Sequence, residues 1–538
     1  MTLSRPVLCA AAIVALAVPN AWCEAQVAAT PADPPSFREP MRLFTVGLGP
    51  FSRKVTTRSP EAQAFFDQGA QFLFSFTPEE AARSFREAQK RDPDCAMCHW
   101  GEAWAWGPYL NGQMGSDDAP RAYAAIQRAV ALKANATEVE RGLIDAMAVR
   151  YERSHDGARR RQLDSAYARA MEQLYARFPD DSEVGTLYAE SLMLLLPRRG
   201  TWDMHSPPVH RIHTVLEGVL SRNLDHPGAC HLFVHATETT PGAGKAERCA
   251  DLLGSSIPGA SHINHMPSHT YNRIGRWGDA VRANIEAWHS DIRAGWGEGF
   301  AIYPSHNLHM LLFSASYDGQ GAIAIQAAKD YAKISRGGQF YHALALLRFG
   351  RFDEILELRT APPQSLLRGM WEFARGYAHL RSERADSARW YSARVDSAAR
   401  AIPASEVFRG HTPAQLLGIL GGILRGEIHR AGARMSEAIT AFEVAAALED
   451  SLRYDEPEPL NFSPRHWLGA ALLEANRPAD AERVYRAELV LHPKNGWSLL
   501  GLELALRAQS RTEEADRVRE EFRASWARSD HVMRSSRP

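Results

Sequence analysis

This 538-residue chain lacks long hydrophobic runs. Apart from residues 7–18, no stretch approaches the roughly 20 apolar residues that a spanning helix needs, so no membrane span is expected once the leader is removed. A dominant charge is missing too: 62 Lys and Arg stand against 63 Asp and Glu, for a net charge of -1. That balance gives no electrostatic case for nucleic acid or for an anionic membrane surface. Cysteine is scarce, six in all. No Gly-rich phosphate loop, nucleotide fingerprint or Ser-His-Asp layout stands out, and HLFVH lacks the Glu of H-E-x-x-H, which disfavours a zincin protease. The remaining composition, 45% hydrophobic and 23% charged, is that of an ordinary soluble protein.

The opening MTLSRPVLCAAAIVALAVPNAWCEAQ has an early Arg5, a short apolar run and small residues before a cut after Ala25. This is the layout of a secretory signal peptide over residues 1–25, predicting a periplasmic or secreted protein. Four cysteines remain after cleavage, Cys95, Cys98, Cys230 and Cys249, an even number compatible with two disulfides in an oxidising compartment. Cys230 and Cys249 fall on the two helices of one expected hairpin, a topology that can bring them within bonding reach.

Residues 26–59 read as a Pro-rich linker and irregular lead-in; helical patterning begins at Pro60. Gly69 and Phe72 precede Ala81, then Phe85, Ala88 and Pro93; Gly469 and Leu472 precede Ala481, then Tyr485 and Pro493. Ala481 and Ala515 are separated by the same interval as Ala246 and Ala280. Small residues at helix contacts, a large apolar residue one turn later and an exit proline, all at a period of about 34 residues, resemble the tetratricopeptide repeat family. The resemblance implies an all-α, right-handed α-solenoid of helical hairpins with a concave groove lined by each first helix. It divides the chain into N-terminal repeats over 60–225, His-rich repeats over 226–330, divergent helical repeats over 331–455 and C-terminal repeats over 456–527. The polar tail 528–538 is expected to be disordered.

Nine of the 21 histidines lie between His226 and His309, both included. Counted back from the anchor alanines Ala246, Ala280 and Ala324, His231, His265 and His309 share one position, His235 and His269 a second, and His262 and His306 a third. Glu238 stands at a fourth, one helical turn beyond His235. Steps of three and four hold side chains on one helix face. All eight therefore occupy one stripe on the first helices of three consecutive hairpins. Imidazole is a common transition-metal ligand, and a pair at i, i+4 reaches one ion at about 2 Å without distorting the helix. Eight donors exceed one tetrahedral site, so either two metals or one metal with an outer shell of histidines is expected. Nitrogen-rich ligation suits copper or zinc, and Glu238 keeps iron open. The competing reading is a set of hydrogen-bonded histidines that stabilise an unusual helix interface.

Tyr271 and Tyr303 adjoin these runs and can donate hydrogen bonds or protons to them; packing is the simpler role. Glu102 and Glu190, carboxylates on apolar helices, are further candidates to join the groove, against an ordinary partly exposed role. Cys95-Ala96-Met97-Cys98-His99 matches the C-x-x-C-H attachment motif of c-type haem, but His99 falls where the repeat wants an apolar contact residue, which favours a local disulfide or dithiol. HPGACHLFVH, GASHINHMPSH and YPSHNLH look like a signature of exported bacterial tetratricopeptide proteins, a resemblance that implies fold and export but no reaction. The expectation is an exported metalloprotein, an oxidoreductase or hydrolase acting on a small molecule or peptide in the groove. A scaffold gripping a partner protein is the alternative.

Overall fold

Pro60 takes the first helical position and the Ser59 hydroxyl accepts the N–H of Ala62, which starts the helix Pro60–Phe74; Pro78 starts its antiparallel partner Pro78–Arg91. This computed structural model describes residues 33–197 and 202–538, and hairpins of this kind follow one another through nearly all of them. The expected leader at 1–25 lies outside the described residues. Among the described residues there are only isolated β-bridges and no strands, and the architecture is an all-α solenoid of tetratricopeptide-type hairpins. Ala81, Ala246, Ala280, Ala324, Ala481 and Ala515 are all fully buried, each where a second helix packs on its first.

Small residues are required at these contacts. A Cβ on Gly469 would lie 2.3 Å from the Tyr485 ring, and one on Gly501 would lie 2.1 Å from it. Tyr485 is fully buried between the two and cannot retreat. Gly501→Ala is therefore expected to destabilise the protein by about 1–3 kcal/mol through overpacking. Urea unfolding followed by circular dichroism measures it, and an unchanged midpoint would refute this account of the repeat.

The divergent segment from 331 to 455 is built of the same units, including Ser365–Arg381 against Ala385–Ala401 and Pro413–Ala431 against Met435–Asp450. The C-terminal repeats return to the middle of the chain. Trp497 Nε1 donates to the Ser316 carbonyl at 2.9 Å, Trp277 Nε1 to the Pro493 carbonyl at 2.9 Å, and Asn461 Nδ2 to Ser316 Oγ at 3.0 Å. Residues 454–459, the acidic Pro-rich break YDEPEP, consequently lie as a strap across the histidine-bearing helices.

Two expectations are corrected or resolved here. The tail 528–538 is ordered rather than disordered. Asp530 accepts the first N–H groups of the helix Gly321–Ile334 at 2.6 and 2.9 Å, and Arg528 pairs with the buried Asp318 at 2.6 Å. Ser536 is buried against Tyr485 and the His466 carbonyl. Polar composition predicts disorder only when polar groups find no partners; a bare helix N-terminus and buried carboxylates supply them. In the C-x-x-C-H run, Cys95 and Cys98 are buried and bonded to each other, the local disulfide of the two expected alternatives; Cys230 and Cys249 form the second disulfide.

Candidate metal centre

Four helical segments carry the histidines: Pro227–Glu238, Ser261–His265, Pro267–Ile274 and Pro304–Asp318. Their register places His231, His235, Glu238, His262, His265 and His269 in one interior, none of them more than 3% exposed, with His306 half-buried at its edge. Three sets of donor atoms lie within 4.8 Å of one another and are fit to hold an ion: His231, His235 and His262; His265, His269 and His306; and His235, Glu238 and Glu456.

Oxygen acceptors fix the ring orientations. Phe74 ends its helix with a spare carbonyl, and His231 Nδ1 donates to it at 2.6 Å. Asn284 is anchored by its Nδ2 on the Ala280 carbonyl, so its Oδ1 faces His265 Nδ1 at 2.8 Å. Glu238 takes the Nδ1–H of His235 at 2.7 Å on one oxygen and that of His269 on the other; Glu456 stands 3.2 Å from the same His269 nitrogen. With Nδ1 protonated, each ring turns its Nε2 lone pair inward. His231 Nε2 meets His262 Nε2 at 3.1 Å, and His265 Nε2 meets His269 Nε2 at 2.7 Å. Nitrogens this close share either a hydrogen that one of the two rings carries, as His262 with no acceptor on its Nδ1 can do, or a metal ion, since nitrogens about 2.0–2.1 Å from one ion sit about 3 Å apart.

The electrostatics agree with this arrangement. Burial and neighbouring imidazoles push His262 and His306 well below the usual histidine value, and burial with His269 alongside takes His265 down to about 3. Burial opposes protonation of His269 as well, but the Glu238 and Glu456 carboxylates outweigh it and hold its pKa up at about 9. His269 is thus favoured as an imidazolium beside Glu238 and Glu456, whereas His262, His265 and His306 are favoured as neutral rings.

Aromatic residues wall the centre. Phe76 packs on His231 at 4.3 Å and on His262 at 5.1 Å; the Tyr303 ring meets His262 edge-on at 5.5 Å, and its hydroxyl bonds Tyr109 at 3.1 Å. Phe76 and Tyr303 both adopt left-handed backbone, at φ 59° and 62°, a conformation disfavoured for aromatic side chains and tolerated where surrounding packing enforces it. Tyr454 donates to Glu238 at 3.0 Å, and Arg409 secures the strap by pairing with Asp455 and donating to the Glu456 carbonyl at 2.7 Å.

Several expected residues lie elsewhere. His309 turns to the next repeat, where Tyr341 bonds its Nε2 at 2.5 Å, and belongs to none of the ion-holding sets. Tyr271 donates to Asp251 at 2.8 Å beneath the Arg276 guanidinium, away from the histidines. Glu102 pairs with Arg86 and Gln89. Glu190 is buried near Trp104 and Arg150, where burial raises its pKa. His99 is held by the Pro93 carbonyl. Sequence reasoning missed Glu456, Tyr454, Asn284, Phe76, Tyr109 and Arg409. The carboxylates of YDEPEP, at a place where the repeat is interrupted, were the available signal for Glu456; none marks the others.

No family model matches the chain, and no curated protein matches it. Among solved structures, the P58(IPK) TPR domain aligns at 10% identity over 84% of this chain and 99% of that one, TM-score 0.23. The human IFIT1 dimer with m7Gppp-AAAA aligns at 10% identity over 88% and 91%, TM-score 0.30, and Naa15/Naa10 bound to HypK-THB at 12% over 87% and 70%, TM-score 0.23. Values this low do not bear on what the present chain binds or does.

Proposed function

We propose that this is an exported metalloprotein that holds one or two copper, iron or zinc ions in the His/Glu centre and uses them on a small molecule. The observation that supports the reading is the convergence of six imidazoles in two sets, four of which, His231, His235, His265 and His269, have Nδ1 tied to an oxygen acceptor. His231, His235 and His262 form one ligand set and His265, His269 and His306 the other, with Glu238 joined to both through His235 and His269. Metal bound there supplies Lewis acidity or, for copper and iron, redox chemistry. Around it, Glu238 accepts hydrogen bonds from two ligand histidines, Glu456 adds a second carboxylate beside His269, and Phe76 and the strap keep bulk water away. Two disulfides suit an oxidising compartment and support export.

A partner-binding scaffold is the second reading, resting on the hairpin-repeat fold. The strap across the histidine face leaves less of the concave surface for a protein partner. Elemental analysis and a visible spectrum on protein purified without a metal-binding tag decide between them. One or two equivalents of metal, lost in His235→Ala/His265→Ala, are the expected result. No metal after reconstitution with copper, iron and zinc in turn would sink the metalloprotein.

A further inference from the structure

The helix Pro227–Glu238 carries Cys230 directly before His231, and Cys249 lies on the next helix of the hairpin, Glu247–Ser256. The two are bonded to each other and buried. Neighbouring residues of a helix point about 100° apart, so His231 faces the histidine interior while Cys230 faces the partner helix. From that partner the chain runs through a short connection, in which Ile257 and Ala260 are buried, into Ser261–His265, the helix that bears His262. The disulfide therefore joins the helix of His231 and His235 to the segment that delivers His262.

The first ligand set spans this bond and the second does not. His231 and His235 precede Cys249 and His262 follows it, whereas His265, His269 and His306 all follow it. Within the second set, His265 is fixed by Asn284 of the helix Trp277–Ala294. Within the first, the Phe74 carbonyl holds His231 from the N-terminal repeats, while His262 has no acceptor on its Nδ1 and owes its place to its helix alone. Non-covalent contacts also cross the junction. The Gly259 N–H donates to the Gly47 carbonyl at 2.8 Å, and Glu238 accepts from His269 about two helical turns beyond His231. At the His231 end the covalent tie is the disulfide.

We propose that the Cys230–Cys249 disulfide is a positioning clamp that completes the first ligand set, His231, His235 and His262, and makes the affinity of that set depend on oxidation of the two thiols. The clamp deepens the metalloprotein reading and rests on it. When it closes, the Cys230 and Cys249 thiols give two electrons and two protons to a disulfide oxidant, which leaves as two thiols as the Sγ–Sγ bond forms. A reduced chain then loads the second set alone, and full loading follows arrival in an oxidising compartment.

Zinc titration of the full chain against a chelator of known affinity tests this. It is run on wild type, on Cys230→Ala/Cys249→Ala, and on wild type reduced with a phosphine under argon and then freed of it. His262→Ala and His306→Ala mark the ions of the first and second sets, and Cys95→Ala/Cys98→Ala controls for loss of a disulfide as such. The ion that His262→Ala removes should bind about tenfold more weakly or worse in both proteins lacking the clamp, and reoxidation of the reduced wild type should restore it. The ion that His306→Ala removes should be unaffected, as should both ions in Cys95→Ala/Cys98→Ala. Unchanged affinity of the first-set ion, equal weakening of both ions, or zinc held by the second set alone in oxidised wild type would overturn the clamp. Backbone hydrogen exchange on the metal-free proteins separates the clamp from the reading beneath it. Faster exchange in 227–238 and 261–265 without the disulfide, with 304–318 unchanged, would uphold the clamp even in a chain that binds no zinc, copper or iron, and that chain would sink the metalloprotein reading. Unchanged exchange in such a chain would overturn both.

Discussion

Glu238→Gln is expected to lower transition-metal affinity about 10- to 100-fold, the usual effect of removing a group that orients metal ligands. Glu238 is fully buried and spends both oxygens on ring N–H groups, those of His235 and His269, with Tyr454 donating in addition. An amide keeps one acceptor and sets a donor against the other ring. That ring then shifts its proton to Nε2, where it occupies the lone pair that would face the ion. Because His235 belongs to one ligand set and His269 to the other, a single substitution disturbs both. Glu190→Gln is the matched control, a buried carboxylate remote from the histidines, and should retain metal. Competition with a chelator of known affinity measures the difference. Wild-type affinity in Glu238→Gln would show that Glu238 orients nothing.

Glu488→Ala is expected to destabilise the fold by about 3–5 kcal/mol, the range for breaking a buried ion pair from one side. Glu488 is fully buried and 2.7 Å from His492 Nδ1, while Glu458 on the strap stands 3.5 Å from the other ring nitrogen. Tyr317 stacks on the same imidazole at 4.5 Å. Burial alone would lower the His492 pKa, but the two carboxylates raise it to about 10. A histidine whose folded pKa exceeds its unfolded value near 6.5 stabilises the fold fully below that lower pH, and the contribution is lost as pH rises through about 10. Wild-type melting temperature should accordingly decline between pH 7 and 10, and Glu488→Ala and His492→Gln should both flatten that decline. Parallel pH curves for wild type and Glu488→Ala, or a loss below about 1 kcal/mol, would refute the pairing. Glu488 also stands where a tetratricopeptide hairpin ordinarily has a small residue; ion pairing with His492 is what the position carries instead.

The histidine stripe was legible because helix periodicity turns spacings of three and four into a face, and the tetratricopeptide period turns successive faces into neighbours. His231, His235, Glu238, His262, His265, His269 and His306 follow from those two rules alone. His309 obeys the same rules and still lies outside the ion-holding sets. A stripe residue meets the next repeat, and there the row of imidazoles ends at Tyr341. Register fixes direction, whereas the neighbour fixes chemistry.

Helices, hairpins, buried anchor alanines and the histidine face were thus determined by local sequence, because their causes act within one or two repeats. The closure of the centre was decided only by tertiary structure. Glu456 reaches His269 from several repeats further along the chain, held in place by Arg409 and Asp455 in segments with no repeat register. The terminal tail is ordered for the same reason, since Asp318, Glu427 and the N-terminus of Gly321–Ile334 are charged or unsatisfied partners assembled far from it in sequence. Contacts of that kind depend on how the array curves back on itself, and curvature accumulates from small rotations at every hairpin rather than from any one motif.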